Sequence, residues 1–193
     1  MEFYTDLIVD GVDFSTILVQ PGTQLEVELT LRNGGTNAID GIRVSSTYIR
    51  RQIETGDMET AVRFLGHPHI LSGTVVHGQA LGRKLGIPTA NLRLPEGLAV
   101  PKFGVYACRA VVDGKAYPAV TNIGTRPTVE GIGITVEPWI LDYTGDLYDR
   151  EITLEFYRFL RPEMKFPDLS ALQAEIRRNA EQTRSYLQTT LTE

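Results

Sequence analysis

Short β-type runs separated by glycine- and proline-rich turns fill the second half of the chain and constrain its fold most strongly. Four such runs are found, at residues 105–112, 116–121, 133–142 and 150–160. The dipeptide Asp113-Gly114 between the first two is typical of a type I′ hairpin turn. In the last run, Ile152, Leu154 and Phe156 alternate with polar residues, as in a half-buried strand. This succession predicts a small closed antiparallel barrel or a sandwich.

Two short helices are predicted upstream of this region. Ser45 or Ser46 is a suitable N-cap for the first helix, because a side-chain oxygen there can accept a hydrogen bond from a free backbone N–H group. Asp57 is the predicted cap of the second helix, and Gly66 is its predicted stop.

A longer helix is predicted near the C-terminus. Its apolar residues between 169 and 187 approximate one stripe, which indicates a packing surface, and we assign it no chemistry. Ser170 and Gln173 have the spacing of a capping box at its start.

Charge and cysteine content limit the classes of partner and compartment. The 193 residues carry a net charge of −5, so the chain has no global basic footprint for nucleic acid or for an anionic membrane surface. No stretch approaches the roughly 20 apolar residues of a membrane span. Cys108 is the single cysteine and lies in a β-type run, where a small buried side chain is expected. We expect a cytoplasmic protein with neither nucleic acid nor a membrane as partner.

The first 42 residues form a separate, β-rich segment to which the sequence assigns no role. Leu7–Phe14 reads as a strand, and Gln24–Arg32 alternates apolar and polar residues as a half-buried strand does. Residues 33–41, Asn-Gly-Gly-Thr-Asn-Ala-Ile-Asp-Gly, are typical of a turn or linker. We therefore predict a domain boundary after residue 42.

A glycine-rich stretch within residues 71–92 is the first candidate binding site. It contains Gly73, Gly78, Gly82 and Gly86, with the cations Arg83 and Lys84. Glycine lets a ligand approach the backbone closely, so the loop can aim amide groups and positive charge at a phosphate. Tight turns in an all-β protein are the alternative explanation. The spacing matches neither the common nucleoside-triphosphate loop nor the dinucleotide fingerprint.

The Pro-Thr-Ala-Asn segment after this loop is the second candidate. Pro88 fixes its own φ and favours an extended residue before it. Thr89 and Asn91 are separated by one residue and therefore lie on the same side of an extended segment. Their two neutral oxygen atoms could share one hard cation.

Three stretches together resemble the riboflavin kinase family, specifically the kinase module of bacterial bifunctional FAD synthases. They read GTVVHGQALGRKLGIPTANL, FGVYACRAVVDGKAYPAVTNIGTRPTV and VEPWILDYTGDLYDREITLEFYRFLRPEMKF, and a helix follows them. The resemblance extends over about residues 45–187. It implies a mainly β fold, in which a closed Greek-key barrel of about six antiparallel strands carries a C-terminal helix and is preceded by two short helices.

The resemblance also implies a division of the chain. The sequence Ser-Ser-Thr-Tyr-Ile-Arg at 45–50 resembles the end of the FMN adenylyltransferase module, so residues 43–70 are expected to be a helical linker and 71–187 the kinase domain. The nucleotide-binding fold and histidine motif that this module needs far upstream are missing from the sequence. We expect FMN adenylyltransferase activity to be absent.

As a riboflavin kinase, the chain is expected to transfer the γ-phosphate of ATP to the 5′-hydroxyl of riboflavin, giving FMN and ADP. Glu137 matches the general base of the family, and Thr89 and Asn91 match its Mg²⁺ ligands. The residues expected at ATP are Gly78, Gly82, Arg83, Lys84, Gly86, Thr89, Asn91 and Tyr148. The residues expected at the flavin are Asn122, Arg161, Met164 and Phe166.

Two features leave an alternative open. Taken alone, Glu137 reads as a solvent-facing strand residue, and Pro138 indicates that this strand is interrupted or lies at a sheet edge. Trp139 stands where relatives commonly have histidine in a Glu-x-His sequence. The alternative is a catalytically impaired protein that binds flavin or nucleotide and carries an N-terminal interaction segment.

Overall fold

The structure is a computed structural model that describes the following residues: 7–9, 31–33, 38–78, 82, 86–95, 97–128 and 131–191. Contacts between Cα atoms divide the chain into two units, 1–44 and 45–193. Within these described ranges, no helix is both long and apolar enough to cross a membrane.

The described part of the first unit consists of short strands: β1 (Leu7–Val9), β2 (Leu31–Asn33), β3 (Ala38–Ile39) and β4 (Ile42–Arg43). Antiparallel pairs form between β1 and β2 and between β3 and β4. Asp40 and Gly41 join the second pair with φ angles of 51° and 75°, as a type I′ turn requires. Most of the predicted strands 7–14 and 24–32 lies outside the described residues.

Six strands of the second unit close into an antiparallel barrel: β5 (His69–Val76), β6 (Asn91–Arg93), β7 (Gly104–Val112), β8 (Lys115–Thr128), β9 (Gly131–Ile140) and β10 (Glu151–Arg161). The order around the barrel is β10-β5-β6-β9-β8-β7. Strands β7, β8 and β9 are successive neighbours, and β10 returns to pair with β7, which is a Greek key. The predicted six-stranded Greek-key barrel is confirmed.

Alternation along the strands separates the barrel interior from its outer surface. Tyr106 and Cys108 of β7 and Ile152, Leu154 and Phe156 of β10 are buried in one apolar cluster inside the barrel. Each fully buried large apolar side chain contributes about 1.5–3 kcal/mol to folding. Because successive residues of a strand point to opposite faces, the residues between them face outward. The outer faces of β7, β8 and β9 carry the candidate site.

Three helices complete the described part of the second unit: α1 (Ser46–Thr55), α2 (Met58–Leu65) and α3 (Leu169–Thr190). The Ser45 hydroxyl accepts a hydrogen bond from the N–H of Tyr48 at 3.2 Å, and the Asp57 carboxylate accepts one from the N–H of Thr60 at 3.1 Å. Both predicted caps are therefore confirmed. In α2, Met58 joins the barrel core, so this helix packs against the barrel.

The predicted capping box of the C-terminal helix is wrong. The cap of α3 is Asp168, whose carboxylate accepts a hydrogen bond from the N–H of Ala171 at 2.8 Å. A cap residue needs an extended backbone, and Asp168 has it, with φ −155° and ψ 173°. Ser170 already lies inside the first turn of the helix, so its side chain does not occupy the cap position.

Candidate active site

A cavity of about 350 Å³ lies between the outer surface of the barrel and α3. Its floor consists of outward-facing strand residues: Val105, Val120, Asn122, Glu137 and Trp139. Its other side consists of residues of α3 and of the loop that precedes this helix: Glu163, Met164, Phe166, Leu172, Ile176 and Asn179. The volume is that of a small-molecule site, and a mainly apolar lining with few polar groups is typical of such sites.

Glu137 is half-buried in this cavity and is not a solvent-facing strand residue. It lies opposite Asn122 in the register of β8 and β9. Burial raises the pKa of Glu137 above that of an ordinary glutamate; the positive charge of Arg126 lowers it, and the Glu163 carboxylate raises it further. A carboxylate with a raised pKa is a stronger base, as proton abstraction from an alcohol requires.

Strand β9 continues through Pro138, so the predicted interruption is wrong. The predicted edge position agrees with the side of β9 that faces β6, where the ladder pairing does not extend to Pro138. The pairing of β9 with β6 is short, with Leu92 opposite Val136. Next to this pair, the N–H of Ala90 donates a hydrogen bond to the carbonyl oxygen of Pro138 at 2.9 Å. This bond connects the Pro-Thr-Ala-Asn segment with the strand that carries Glu137, and Thr89 lines the same cavity.

Two glycines of the glycine-rich stretch lie directly against the proposed metal ligands. A Cβ atom on Gly78 would come within 2.2 Å of the side-chain nitrogen of Asn91. A Cβ atom on Gly82 would come within 2.3 Å of the carbonyl oxygen of Ile87 and 3.2 Å of the Thr89 hydroxyl. At Gly82 the close contact is with backbone, so glycine is required there; at Gly78 a larger residue would displace the end of the Asn91 side chain.

The structure describes only two of the four remaining residues expected at ATP, Gly86 and Tyr148. Gly86 has a φ of 66°, which favours glycine, while Arg83 and Lys84 lie outside the described residues. The Tyr148 ring stacks on the His77 ring, with the two ring centroids 3.8 Å apart and the ring planes 26° apart. His77 directly follows β5 and Tyr148 precedes β10, and neither residue lines the cavity that contains Glu137.

All four residues expected at the flavin line the cavity. Arg161 is the most constrained: its Nε donates a hydrogen bond to Oδ1 of Asn179 at 3.0 Å and lies 3.3 Å from Oε1 of Glu175. Its guanidinium carbon lies 5.5 Å from the centroid of the Phe166 ring, within the range of a cation–π interaction. The helix α3 therefore fixes Arg161, and Arg161 contacts the aromatic residue at the cavity.

Sequence reasoning missed two kinds of residue here. Trp139 lines the cavity two positions after Glu137, and the period-2 rule for strands could have placed it on the same face. Leu172, Ile176 and Asn179 line it from α3, a helix interpreted as packing alone. No motif marks Asn179, because its contact with Arg161 arises only when the helix folds onto the barrel.

The chemistry of the donor atoms fits a weakly held Mg²⁺. Thr89 and Asn91 offer neutral oxygen atoms, which suit a hard cation, and the described residues contain no group of three or more His, Cys, Asp or Glu side chains that could hold a metal. Two neutral ligands alone bind a divalent ion weakly, so its affinity would depend on the phosphate oxygens of a bound nucleotide.

Comparisons with known proteins show which family the chain belongs to. A family model described as "Flavokinase: Riboflavin kinase" matches residues 65–187. The bifunctional riboflavin kinase/FMN adenylyltransferase of Pseudomonas fluorescens is 45% identical over 148 residues, which is 76% of this chain and 47% of that protein. The protein of the same name from Listeria monocytogenes is 38% identical over 160 residues, or 82% and 50% of the two chains. The chain thus spans about half the length of the curated relatives it matches.

A solved structure is also similar. The crystal structure of a macrolide-efflux protein from Streptococcus pneumoniae has a TM-score of 0.72 and 32% sequence identity, covering 76% of this chain and 48% of that one. The match to the family model includes the complete barrel and nearly all of α3, together with every residue that lines the cavity. Residues 65–187 form a riboflavin kinase domain, and the chain belongs to the riboflavin kinase family.

Proposed function

We propose that the chain is an ATP:riboflavin 5′-phosphotransferase that produces FMN and ADP. The observation that carries this proposal is the position of Glu137, a half-buried carboxylate of raised pKa in a cavity of about 350 Å³. Thr89 at this cavity connects it with the glycine-rich stretch, and apolar side chains provide the surface that a flavin ring needs.

In the proposed mechanism, Glu137 acts on riboflavin, while Thr89, Asn91 and the glycine-rich stretch act on the phosphates of ATP. Glu137 accepts the proton of the riboflavin 5′-hydroxyl while that oxygen attacks the γ-phosphorus; the bond between the γ-phosphorus and the β,γ-bridging oxygen breaks, and ADP leaves. Thr89 and Asn91 would hold Mg²⁺ together with the phosphates, and the ion would supply charge neutralisation. Backbone amides near Gly78 and Gly82 position the phosphates, which is the main requirement for phosphoryl transfer.

The proposal extends to the remainder of the chain. We propose that the chain has three parts: residues 1–42, the helical linker 43–70 and the kinase domain 71–187. The boundary between the two contact units, after residue 44, supports the division between the first part and the linker. We propose that the chain forms FMN without adenylating it to FAD, and that it acts in the cytoplasm on riboflavin and ATP. The single buried thiol of Cys108 is compatible with a reducing compartment.

The direct test is product analysis. Purified protein is incubated with riboflavin, ATP and Mg²⁺, and the flavins are separated by chromatography. We expect FMN without FAD. The appearance of FAD would contradict the proposal that this chain does not adenylate FMN. Bound riboflavin without FMN would favour the catalytically impaired binding protein, for which the Trp139 departure is the specific indication.

A further inference from the structure

Trp139 occupies a distinctive place in the candidate site. It is the single tryptophan of the chain and lies opposite Val120 in the register of β8 and β9. Its side chain packs against the cluster that contains Val105 and Ala180, where α3 meets the barrel, yet it stays half-buried and lines the cavity. Part of the indole ring is therefore fixed by packing, and part of it remains free to contact a ligand.

The spacing between Trp139 and Glu137 fits one acceptor molecule. Two residues on the same face of a strand are separated by about 6.6 Å. A five-carbon chain that presents its terminal hydroxyl to Glu137 would place the group at its other end beside Trp139. Phe166, whose ring lies 5.5 Å from the guanidinium carbon of Arg161, is a second aromatic side chain in the lining of the cavity.

We propose that Trp139 is the stacking surface for the ring system of the acceptor and determines the preference of this site for a planar tricyclic alcohol. An indole ring offers a large electron-rich face, and an isoalloxazine ring is planar and electron-poor, so offset stacking between them is favourable. A single-ring alcohol covers less of the indole and binds less tightly. This inference rests on the proposed function, because it assumes riboflavin as the acceptor.

The emission lifetime of bound riboflavin provides a test that needs no turnover. On contact, an excited flavin takes one electron from an indole and regains its ground state when the electron returns, which shortens the lifetime. In the described part of the chain, the aromatic side chains lining the cavity are Trp139 and Phe166, and phenylalanine does not donate an electron in this way. Shortening of the lifetime therefore reports on Trp139.

The lifetime is measured with protein in excess for the wild type, Trp139→Leu and Trp139→Phe. Tyr117→Phe is the control, because Tyr117 packs against Tyr143 and does not line the cavity. We expect a short lifetime in the wild type and the control and a long one in both Trp139 variants. The riboflavin KM should rise about tenfold in Trp139→Leu and about twofold in Trp139→Phe, with a smaller change in the KM for Mg·ATP.

The outcomes separate this inference from the proposed function. A wild-type lifetime in Trp139→Leu with riboflavin bound would overturn the stacking role, even if FMN is formed. Shortening that depends on Trp139 without FMN formation would support the stacking role and contradict the phosphotransferase. Trp139→Phe keeps a ring in the packed cluster, so a long lifetime at near wild-type affinity excludes misfolding as the cause. A wild-type protein that does not bind riboflavin would overturn both proposals.

Discussion

The two sides of the candidate site are constructed in different ways. On the side proposed to bind the phosphates, Gly78 packs against Asn91 and Gly82 packs against the segment around Thr89, all within fourteen residues of sequence. On the proposed flavin side, the cavity combines residues of four strands, the loop before α3 and α3 itself, and Arg161 meets Asn179 across 18 residues. A local motif specifies the first side, whereas tertiary packing specifies the second. Substitutions on the two sides should therefore affect the two substrates separately.

The largest effect is expected from the residue that serves both sides. Glu137→Gln keeps the shape of the side chain but removes the base, so kcat should fall by about 10²–10⁴-fold with riboflavin and Mg·ATP binding preserved. Steady-state kinetics and riboflavin titration measure the two quantities. Glu163→Gln is the matched control, because it neutralises the other carboxylate at the cavity and should retain most of kcat. A larger fall in kcat for Glu163→Gln than for Glu137→Gln would indicate that Glu163, and not Glu137, is the base.

The phosphate side is tested with Gly78→Ala. The new Cβ atom would displace the Asn91 amide, which lies 2.2 Å from its position, so the KM for Mg·ATP should rise about tenfold or more while riboflavin affinity stays unchanged. Kinetics with each substrate varied in turn provide the measurement. Gly114→Ala is the control: it strains a turn with φ 75° and should lower stability by about 1 kcal/mol without changing either KM. Equal changes in the KM values for Mg·ATP and riboflavin in Gly78→Ala would contradict the proposal that the two substrates are bound by separate sides of the site.

The flavin side is tested with Asn179→Leu. This change removes the acceptor for Arg161 Nε and leaves the arginine to Glu175, so the position of Phe166 at the cavity becomes less defined. The riboflavin KM should rise roughly two- to tenfold with an unchanged KM for Mg·ATP. Glu181→Gln, an exposed change on the same helix, should alter neither value. A change confined to Mg·ATP would contradict the assignment of α3 to the flavin side.

The smallest effect concerns stability and pH. Burial raises the pKa of Glu137 above its ordinary value of 4.5, so between that value and the raised one the folded protein binds more protons than the unfolded chain. The stabilising contribution of this carboxyl group is therefore complete below its unfolded pKa and is lost as pH rises through its folded pKa. Glu137→Gln should gain stability relative to the wild type across this range. Urea unfolding at several pH values measures the difference in the free energy of unfolding between the two proteins. A difference that does not change with pH would contradict a raised pKa of Glu137 in the folded protein.

The difference between the two sides also explains what could be predicted from sequence. The Asp113-Gly114 hairpin and the caps at Ser45 and Asp57 follow from neighbouring residues, and the structure confirms them. Closure of the barrel rather than a sandwich needed the family resemblance, because alternation alone does not choose between them. Thr89 and Asn91 follow from Pro88 and local spacing; their roles as metal ligands stay predictions.

The residues that sequence reasoning missed depend on long-range packing. Asn179 reaches the cavity only because α3 folds over β7 and β8, and its helical position gives no sign of this. The cap at Asp168 was missed because Ser170 and Gln173, two residues later, have the sequence spacing of a capping box. Pro138 was expected to interrupt its strand or to mark a sheet edge. The pairing of β9 with β8 continues past it, with Thr121 opposite Pro138, so the strand is not interrupted.

The pH dependence of FMN formation in a single turnover tests the central claim most directly. With Glu137 as the base, the rate should rise along one acid limb whose midpoint lies above 4.5, because burial raises the pKa of this residue. Glu163→Gln should move the midpoint to lower pH, since it removes a like charge that raises the Glu137 pKa. A rate independent of pH, or a limb that disappears in Glu163→Gln and persists in Glu137→Gln, would contradict the account.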